Sequence, residues 1–391
     1  MGTTRRSVVR RSSEPGNIGR PLATPFSPSV AYHYSDVDQL NGVYDKQLEG
    51  FTYARYGNPN SAILAEKISW MENAEGGVMT ASGMSALSAV FMGILEAGDE
   101  IAAATQLYGQ SLKFTSRVLP RLGFKTNFFD ASDPGTFADA IKPGTRIVVA
   151  EIVSNPMLRV TDFSALKEAT RGVGALLVID NTFTTPSGFN PLNHGADIVM
   201  HSVTKMLSGH SDLILGYIGV NDLELLKKLD ETVSTLGLNA SPFNCWLAER
   251  GLHTFDLRLK QAQTNADKLS QLLSEHPKVS EVHYPGLSTH PDHALAKKLL
   301  NGGSGTMVSF VLKGVHENLN TFLRAAENIP YGPTLGDVAT MMIVPAVSSH
   351  RELNQSERLK LGIEDNLIRV SVGIESFDII RDDFLEALEA A

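Results

Sequence analysis

Short apolar runs alternate with helix-like stretches through the middle of the chain. The runs have the length and the continuous apolar character of strands that are buried on both faces, at 78–81, 100–103, 147–150, 176–179 and 197–200. Amphipathic stretches separate them, at 85–95, 136–141 and 163–171. This alternation predicts an α/β fold with a mostly parallel central sheet, helices on both faces, and ligands bound at the carboxyl ends of the strands.

The pattern changes after about residue 241. Residues 244–274 carry a long helical pattern with many charges, which could link the large domain to a smaller one. Beyond it, three segments alternate like strands with one exposed face, and two helical segments complete an α+β unit. The strand-like segments are 279–284, 306–312 and 367–372, and the helical segments are 319–327 and 381–389.

These patterns predict three parts of the chain. Residues 1–58 show neither the helical nor the strand period of apolar positions and are rich in Pro, Ser and Tyr. We predict that they form an N-terminal arm and loop. Residues 59–245 form the large domain, and residues 246–391 form a small C-terminal α+β domain.

Composition narrows the function classes. The 391 residues are 42% hydrophobic and 20% charged, and 34 basic against 43 acidic residues give a net charge of -9, which argues against nucleic-acid or membrane partners. The single cysteine, Cys245, forms no internal disulfide, so a cytoplasmic location is expected. Arg5, Arg6, Arg10 and Arg11 lack the apolar run of a signal peptide, and we expect them in a solvated start.

Lys205 needs a special explanation. It closely follows the apolar run 197–200, where an unpaired ammonium would be costly to desolvate, so we predict a covalent role. Ser202 and Lys205 also satisfy the Ser-x-x-Lys pattern of serine β-lactamases and penicillin-binding proteins. The companion motifs are missing, because Leu213 follows Ser211-Asp212 and no Lys-Thr-Gly is present.

Two other motifs give only weak support for a metal site or a nucleotide site. His290 and His293 have plausible metal-ligand spacing, but no thiolate set or His-Glu-x-x-His supports them, and a helix start is the better interpretation. Gly172 and Gly174 precede a strand, whereas the glycines of a dinucleotide site follow one. We therefore predict neither a metal nor a nucleotide.

Three features at strand ends point to one cofactor. The first apolar run leads into Ser82-Gly83-Met84 and a helix, whose free N–H groups and dipole favour a phosphate, although Ser82 could be a plain helix cap. Asp180 ends the fourth run, where it could keep a ring nitrogen protonated or simply cap a loop. With Lys205, these features together describe a site for pyridoxal phosphate.

Many segments resemble the Cys/Met-metabolism pyridoxal-phosphate enzymes. That family includes cystathionine γ-synthases, cystathionine lyases, methionine γ-lyases and O-acylhomoserine sulfhydrylases. The matching segments are 53–59, 81–84, 108–109, 154–156, 178–183, 195–205, 208–212, 348–350 and 368–375. The resemblance implies the fold of type I pyridoxal-phosphate enzymes and pyridoxal 5'-phosphate as cofactor.

The resemblance also implies a role for each candidate residue around the ring. Lys205 would form the Schiff base and then serve as the general base that moves protons, and Asp180 would pair with the pyridinium nitrogen. Asn155 would bond to the ring hydroxyl, and Tyr108 would cover the ring and act as acid-base partner of the leaving group. Arg369 would hold the substrate carboxylate, unless it is a solvent-exposed arginine on an edge strand.

The phosphate would be bound from two subunits. Backbone N–H groups and hydroxyl groups of one subunit would contact it, from Ser82, Gly83, Met84, Ser202 and Thr204. In the family the residues that match Tyr53 and Arg55 reach the phosphate of the neighbouring subunit. The resemblance therefore implies a homotetramer built from dimers that share active sites.

Five positions bear on the amino-acid substrate. Cystathionine-handling members have acids where this chain has Thr52 and Pro333, which weakens cystathionine as the substrate. Thr334 replaces a usual serine in a segment similar to methionine γ-lyases and O-succinylhomoserine sulfhydrylases, while Gln110 replaces the cysteine of methionine γ-lyases. Val344 also replaces a usual histidine.

We therefore predict γ-elimination or γ-replacement on a sulfur or O-acyl amino acid. The reaction would be like that of a methionine γ-lyase or an O-acylhomoserine sulfhydrylase. The alternatives are a cystathionine γ-synthase or γ-lyase, a cystathionine β-lyase that releases pyruvate, and an aminotransferase. A non-catalytic protein on this fold would more often have lost Lys205, Tyr108 or Arg369, and all three are present.

Overall fold

The computed structural model describes residues 19–391 and contains two β-sheets. The central sheet has seven strands: β1 (Gly76–Thr80), β2 (Glu100–Ala104), β3 (Lys125–Phe129), β4 (Thr145–Glu151), β5 (Leu176–Asp180), β6 (Ile198–Ser202) and β7 (Gly216–Val220). The second sheet has four: β8 (Val279–His283), β9 (Met307–Leu312), β10 (Met341–Ile343) and β11 (Leu367–Ser371). The arginines predicted to form a solvated start lie outside the described residues.

The helices are spread over the whole described chain. They are α1 (Val37–Tyr44), α2 (Pro59–Glu72), α3 (Gly83–Ile94), α4 (Gly109–Lys113), α5 (Leu119–Arg121), α6 (Phe137–Ala140), α7 (Phe163–Val173), α8 (Thr185–Gly188), α9 (Pro191–His194), α10 (Leu223–Thr235), α11 (Pro242–Leu252), α12 (Phe255–Glu275), α13 (His293–Leu299), α14 (His316–Ala325), α15 (Gln355–Lys360) and α16 (Phe377–Ala390). Single turns of π-helix and 3-10 helix lie at Phe114–Val118, Pro134–Thr136 and Pro345–Val347. None of the helices in residues 19–391 is long and apolar enough to cross a membrane.

The central sheet is mostly parallel, as predicted. Its strand order is β1-β7-β6-β5-β4-β2-β3, and only β7 runs antiparallel to its neighbours. Alternate residues of β6 face opposite sides: Ile198 and Met200 belong to the apolar cluster with α3 and α10, and Val199 belongs to the one with α2 and α11. Helices therefore cover both faces, and the carboxyl ends of β4, β5 and β6 meet at one edge.

The small sheet is more buried than we predicted. We expected one exposed face, but every residue of β9 and β11 is buried. On one side Phe310 packs against Phe322 and Phe384 of α14 and α16. On the other side the Ser309 hydroxyl donates to the Pro156 carbonyl of the large domain at 2.7 Å, so the second face is covered as well.

The long helical pattern at 244–274 forms two helices rather than one. Helix α11 ends at Leu252, and α12 begins at Phe255 after Thr254 departs from helical geometry, with φ -115° and ψ 8°. From α12, Arg258 turns back and donates to the carbonyls of Met206 and Leu207 at 2.8 and 3.1 Å. The start of α12 is thereby tied to the segment that follows Lys205. The predicted boundaries at residues 58 and 245 stay predictions.

Candidate functional site

A cavity of about 410 Å³ lies at the carboxyl ends of the central strands. Eleven of the predicted site residues line it: Ser82, Gly83, Met84, Tyr108, Asn155, Asp180, Ser202, Thr204, Lys205, Thr334 and Arg369. Two do not, Tyr53 and Arg55. The cavity is closed from the other side by residues that precede and include β11, so both sheets contribute to one site.

The predicted phosphate site of the cavity is the N-terminus of α3. Ser82 is the N-cap, and its hydroxyl accepts from the Ser85 N–H at 3.0 Å, which leaves the N–H groups of Gly83 and Met84 without partners inside the helix. A Cβ at Gly83 would lie 2.9 Å from the Ser202 Cβ, so a side chain here would crowd the turn. Ser82 can therefore cap the helix while the free N–H groups beside it bind an anion, so the two alternatives for this turn are compatible.

The two predicted hydroxyl ligands, Ser202 and Thr204, lie at the end of β6 and two residues beyond it. Ser202 is the last residue of β6, and its backbone N–H donates to the Thr182 hydroxyl at 2.8 Å. The Thr204 hydroxyl accepts from the Leu215 N–H at 3.0 Å and lies 3.2 Å from the Leu215 carbonyl. These bonds hold both residues at the edge of the cavity next to the turn that begins α3.

Asp180 ends β5 and lines the cavity. Its Oδ1 accepts from the backbone N–H and the hydroxyl of Thr182 at 3.1 and 2.5 Å. Burial raises the pKa of the Asp180 carboxyl, although the bonds from Thr182 and the charge of His201 oppose the shift. A buried carboxylate that needs a cationic partner suits a pyridinium nitrogen.

Lys205 lies close to the residues that would bind the substrate. Its Nζ donates to the Thr334 hydroxyl at 3.2 Å. Burial and then the nearby Arg369 charge lower the pKa of the Lys205 amine. A lowered pKa favours the neutral amine, which is the form that attacks a carbonyl carbon and accepts a proton.

Arg369 is buried in the middle of the central strand β11, so the alternative of an edge-strand arginine in solvent is wrong. Its two terminal nitrogens donate to the Asn155 side-chain oxygen at 2.9 Å and to the Thr334 carbonyl at 3.0 Å. Its Nε is buried without a partner among the described residues. Burial lowers the Arg369 pKa to about 10, so the guanidinium is still charged at neutral pH and suits a bound carboxylate.

Tyr108 is held at the mouth of the cavity by its backbone. The side chain is 42% exposed, and the backbone N–H donates to Oε1 of Glu151 at 2.6 Å. The next residue, Gly109, lies so close to the Ser349 carbonyl that a Cβ would approach its oxygen to 2.1 Å. The position of Tyr108 therefore depends on both domains.

Tyr53 and Arg55 lie away from the cavity of their own chain. Arg55 donates to the Ser234 carbonyl at 2.7 Å, and its guanidinium carbon lies 4.5 Å from the centre of the Tyr56 ring. Tyr53 is 42% exposed. Their predicted contact with a neighbouring subunit stays a prediction.

Several residues of the cavity wall were missed in the sequence, and two of them bond to predicted site residues. Glu151 at the end of β4 and Thr182 just after β5 both line the cavity. Glu151 follows an apolar strand as Asp180 does, and that shared position could have identified it. Thr182 carries no comparable signal, because a hydroxyl residue after a strand most often caps a turn.

The cavity has two chemically different parts. We call Asn155, Asp180, Lys205, Thr334 and Arg369 the inner wall. We call four lining residues toward the opening the outer rim: Gln110, Ile214 and Pro333, which are exposed, and Ser349, which is half-buried. The charged residues among those that line the cavity are Glu151, Asp180, Lys205 and Arg369, and none of them belongs to the outer rim.

The residues that line the cavity fit the phosphate, the ring and the aldehyde group of pyridoxal phosphate. A helix N-terminus with a glycine cradle, a buried acid and a lysine of lowered pKa surround one cavity, and a charged arginine lines the same space. The described residues hold no group of three or more His, Cys, Asp or Glu that could bind a metal ion. Fold and site together define a pyridoxal-phosphate enzyme of fold type I.

Comparison with known proteins identifies the family. Residues 7–389 match the family described as Cys/Met metabolism PLP-dependent enzyme, and the chain belongs to that family. It is 38% identical to a cystathionine gamma-lyase of Dictyostelium discoideum over 94% of this chain and 93% of the relative. It is 36% identical to an L-methionine gamma-lyase of Fusobacterium nucleatum subsp. polymorphum over 95% of each chain.

A solved structure supports the same membership. The cystathionine gamma synthase of Xanthomonas oryzae pv. oryzae, in complex with cystathionine, superimposes with a TM-score of 0.89 at 36% identity, over 94% of this chain and 93% of that one. The predicted fold class, cofactor and enzyme class are therefore confirmed. The relatives differ in their reactions, so membership establishes a lyase or transferase of the trans-sulfuration type rather than one substrate.

Proposed function

We propose that this protein catalyses γ-elimination or γ-replacement on an amino acid whose γ-substituent carries no charge, such as methionine or O-acetylhomoserine. The observation that carries the proposal is the distribution of charge in the cavity. The charged lining residues include Lys205 and Arg369 of the inner wall, and the outer rim has none. Arg369 would hold the substrate carboxylate, and the γ-substituent would then extend toward the outer rim.

The residues of the inner wall suit the first steps. Bound pyridoxal 5'-phosphate supplies the electron sink that makes the Cα proton, and then a Cβ proton, acidic. Arg369 lines the cavity as a charged guanidinium that would hold the carboxylate, and Lys205, 3.2 Å from the Thr334 hydroxyl, has the lowered pKa of a base that moves those protons. Tyr108 would donate a proton to the departing group from the mouth of the cavity.

The outer rim favours an uncharged substituent. Ile214 is 60% exposed and apolar, Pro333 is exposed, and Gln110 and Ser349 can offer only neutral hydrogen bonds. A distal ammonium or carboxylate would lose water there without gaining an opposite charge from these residues. An uncharged rim disfavours cystathionine and O-succinylhomoserine, in agreement with a proline rather than an acid at position 333.

Cystathionine is the second candidate substrate. The similar enzyme of Xanthomonas oryzae pv. oryzae was solved with cystathionine, at 36% identity to this chain. A cystathionine γ-synthase, γ-lyase or β-lyase would share the whole inner wall. These reactions are distinguished by their products, because β-cleavage of cystathionine gives pyruvate and γ-cleavage gives a four-carbon 2-keto acid.

We also propose that the active form is a homotetramer built from dimers. Tyr53 and Arg55 lie outside the cavity of their own chain, where Tyr53 is 42% exposed and Arg55 is held by the Ser234 carbonyl. Both would complete the phosphate site of a neighbour. Analytical ultracentrifugation of wild type and Arg55→Ala, together with the dissociation constant for the cofactor, tests this assignment.

Product analysis tests the reaction. The purified holoenzyme is given methionine, O-acetylhomoserine, O-succinylhomoserine or cystathionine, each with and without sulfide, and keto acid, ammonia and thiol products are measured. We expect the highest kcat/KM with an uncharged γ-substituent. A keto acid without sulfide indicates elimination, and homocysteine only with sulfide indicates replacement. Higher kcat/KM with cystathionine or O-succinylhomoserine overturns the proposal.

A further inference from the structure

Glu151 lines the cavity but has no part in the roles assigned above. It is the last residue of β4 and is only 7% exposed. Its register partner on the neighbouring parallel strand is Asp180, so the two carboxyl groups project from adjacent strand ends on the same side of the sheet. A second acid beside the one assigned to the ring nitrogen needs a physical explanation.

The two carboxyl groups are not equally supplied with donors. Oε1 of Glu151 accepts one bond, from the Tyr108 backbone N–H at 2.6 Å, and among residues 19–391 no donor is bonded to its Oε2. Asp180 accepts two bonds from Thr182, at 3.1 and 2.5 Å, and would also face the ring nitrogen. Asp180 is therefore the better site for a negative charge, and Glu151 is the better site for a proton.

Electrostatics point the same way. Burial and then the charge of Asp180 raise the pKa of Glu151 well above its ordinary value, against the weaker effect of the Tyr108 N–H. The other charged groups of the cavity lining, Lys205 and Arg369, lie on elements other than β4 and β5. Two carboxylates at adjacent strand ends cannot both ionise without a large repulsive cost, so they share one negative charge.

We propose that Glu151 is a positioning residue that works as a neutral carboxylic acid. One oxygen fixes the backbone at Tyr108, and the retained proton leaves Asp180 as the one negative charge of the pair. Gly109 lies against the Ser349 carbonyl, so Glu151 and the Ser349 loop hold this segment from two sides. The proposal rests on the roles proposed for Tyr108 and Asp180.

Two substitutions separate charge from hydrogen bonding. Glu151→Gln is neutral and keeps an acceptor for the Tyr108 N–H, whereas Glu151→Met is neutral and has none. If wild-type Glu151 is protonated, Glu151→Gln changes little, with kcat/KM within about threefold of wild type, and Glu151→Met lowers kcat/KM by about 30- to 100-fold because Tyr108 shifts. Both variants should keep the absorbance band of the bound cofactor.

Thermal unfolding of the holoenzymes gives a readout that does not depend on turnover. A carboxyl with a raised pKa in the folded state binds its proton more tightly there than in the unfolded chain, where its pKa is about 4.3. Glu151 therefore costs stability as pH rises above that value. We expect the Tm of Glu151→Gln to exceed the wild-type Tm by about 2 to 5 °C at pH 8.5 and by less than about 1 °C at pH 5.

Glu249→Gln is the matched control. Glu249 is also buried, but it is paired with Lys67 at 2.6 Å outside the cavity. Its neutralisation removes an ion pair, so its Tm should lie below the wild-type value at pH 8.5, the opposite sign to Glu151→Gln. Its kcat/KM should stay close to that of the wild type.

Three results would overturn the proposal. The first is a loss of more than about 100-fold in Glu151→Gln with the cofactor band intact, because the ionised form would then be needed. The second is a Tm difference that does not grow with pH. The third is failure of both variants to accumulate as holoenzyme, since an amide must replace a neutral acid without loss of the fold. A wrong substrate assignment would change the preferred substrate but not the Tm results.

Discussion

The inner wall and the outer rim of the cavity are built in different ways. The inner-wall residues Asp180 and Arg369 lie within strands, and Lys205 lies three residues after β6. Arg369 is 4% exposed and is held by two hydrogen bonds. The outer-rim residues Gln110 and Pro333 are exposed and lie in a short helix and a loop.

This difference separates chemistry from specificity. A substitution of a charged inner-wall residue changes a group that is held in place by hydrogen bonds and shielded from solvent, so its effects should be large and similar for every substrate. A substitution in the outer rim changes a group beside solvent, where charges interact weakly. Such effects should be small and should depend on the substrate.

Lys205→Ala is the most severe test of the inner wall. We expect a loss of at least about 10³-fold in kcat with every substrate, because both the Schiff base and the proton-transferring amine are lost. The absorbance band of the bound cofactor should change as well. Lys205→Arg, which keeps the charge but cannot form the Schiff base, should be equally inactive. A Lys205→Ala enzyme with substantial turnover contradicts the assignment.

Arg369→Lys should have the next largest effect. A lysine cannot reproduce the planar contacts to Asn155 and the Thr334 carbonyl, so kcat/KM should fall about 10²-fold, mainly through KM. Arg159→Lys is the matched control, because Arg159 makes a similar two-point contact with Asp292 and does not line the cavity. Equal losses in both variants would indicate a general structural defect.

Thr334→Val tests an uncharged residue of the inner wall that directly follows Pro333 of the outer rim. It removes the acceptor of the Lys205 amine while keeping the branched shape, and we expect kcat to fall about 3- to 10-fold. Since that acceptor stabilises the ammonium form, its loss should lower the Lys205 pKa further. The acid limb of the kcat profile should then move to lower pH by roughly 0.5 to 1 unit. Thr334→Ser should behave like the wild type.

Pro333→Glu should have the smallest effect on kcat/KM, and it should change only the preference between substrates. An acid at the exposed outer rim should raise kcat/KM for cystathionine relative to methionine by about 2- to 5-fold, because it can pair with the distal ammonium. Pro333→Gln controls for the loss of the proline ring. The cofactor band should be identical in both variants, and an altered band would show that the outer rim and the inner wall are not independent.

The strands of the central sheet that build the inner wall were predictable because they are continuous apolar runs. Strands β3 and β7 were not. β3 is an edge strand that begins with Lys125 and is partly exposed, so it lacks such a run. β7 is fully buried but contains Gly216 and Gly219, residues that more often indicate turns in a sequence. A Cβ at Gly216 would come within 2.2 Å of the Ser82 carbonyl oxygen, so the tertiary contact requires the glycine.

The candidate site was predictable where a residue type has few other uses at a strand end. Lys205 is of this kind, Asp180 was identified by its occurrence together with Lys205, and the resemblance added Asn155, Tyr108 and Arg369. Glu151 was missed, because its significance depends on which strand lies next to β4, and strand order is a property of the fold. The two-sided burial of β9 and β11 was missed for the same reason.

The contact between Arg258 and the segment after Lys205 limits how the chain can be divided. Arg258 lies beyond the predicted boundary at residue 245, yet it bonds the Met206 and Leu207 carbonyls, and a Cβ at Gly336 would come within 2.5 Å of the Met206 nitrogen. The segment that contains Lys205 is thus supported by residues that follow it by 50 positions or more. A chimera that exchanges C-terminal halves between relatives would inherit this support from the foreign half, so recombination at residue 245 would alter the catalytic centre itself.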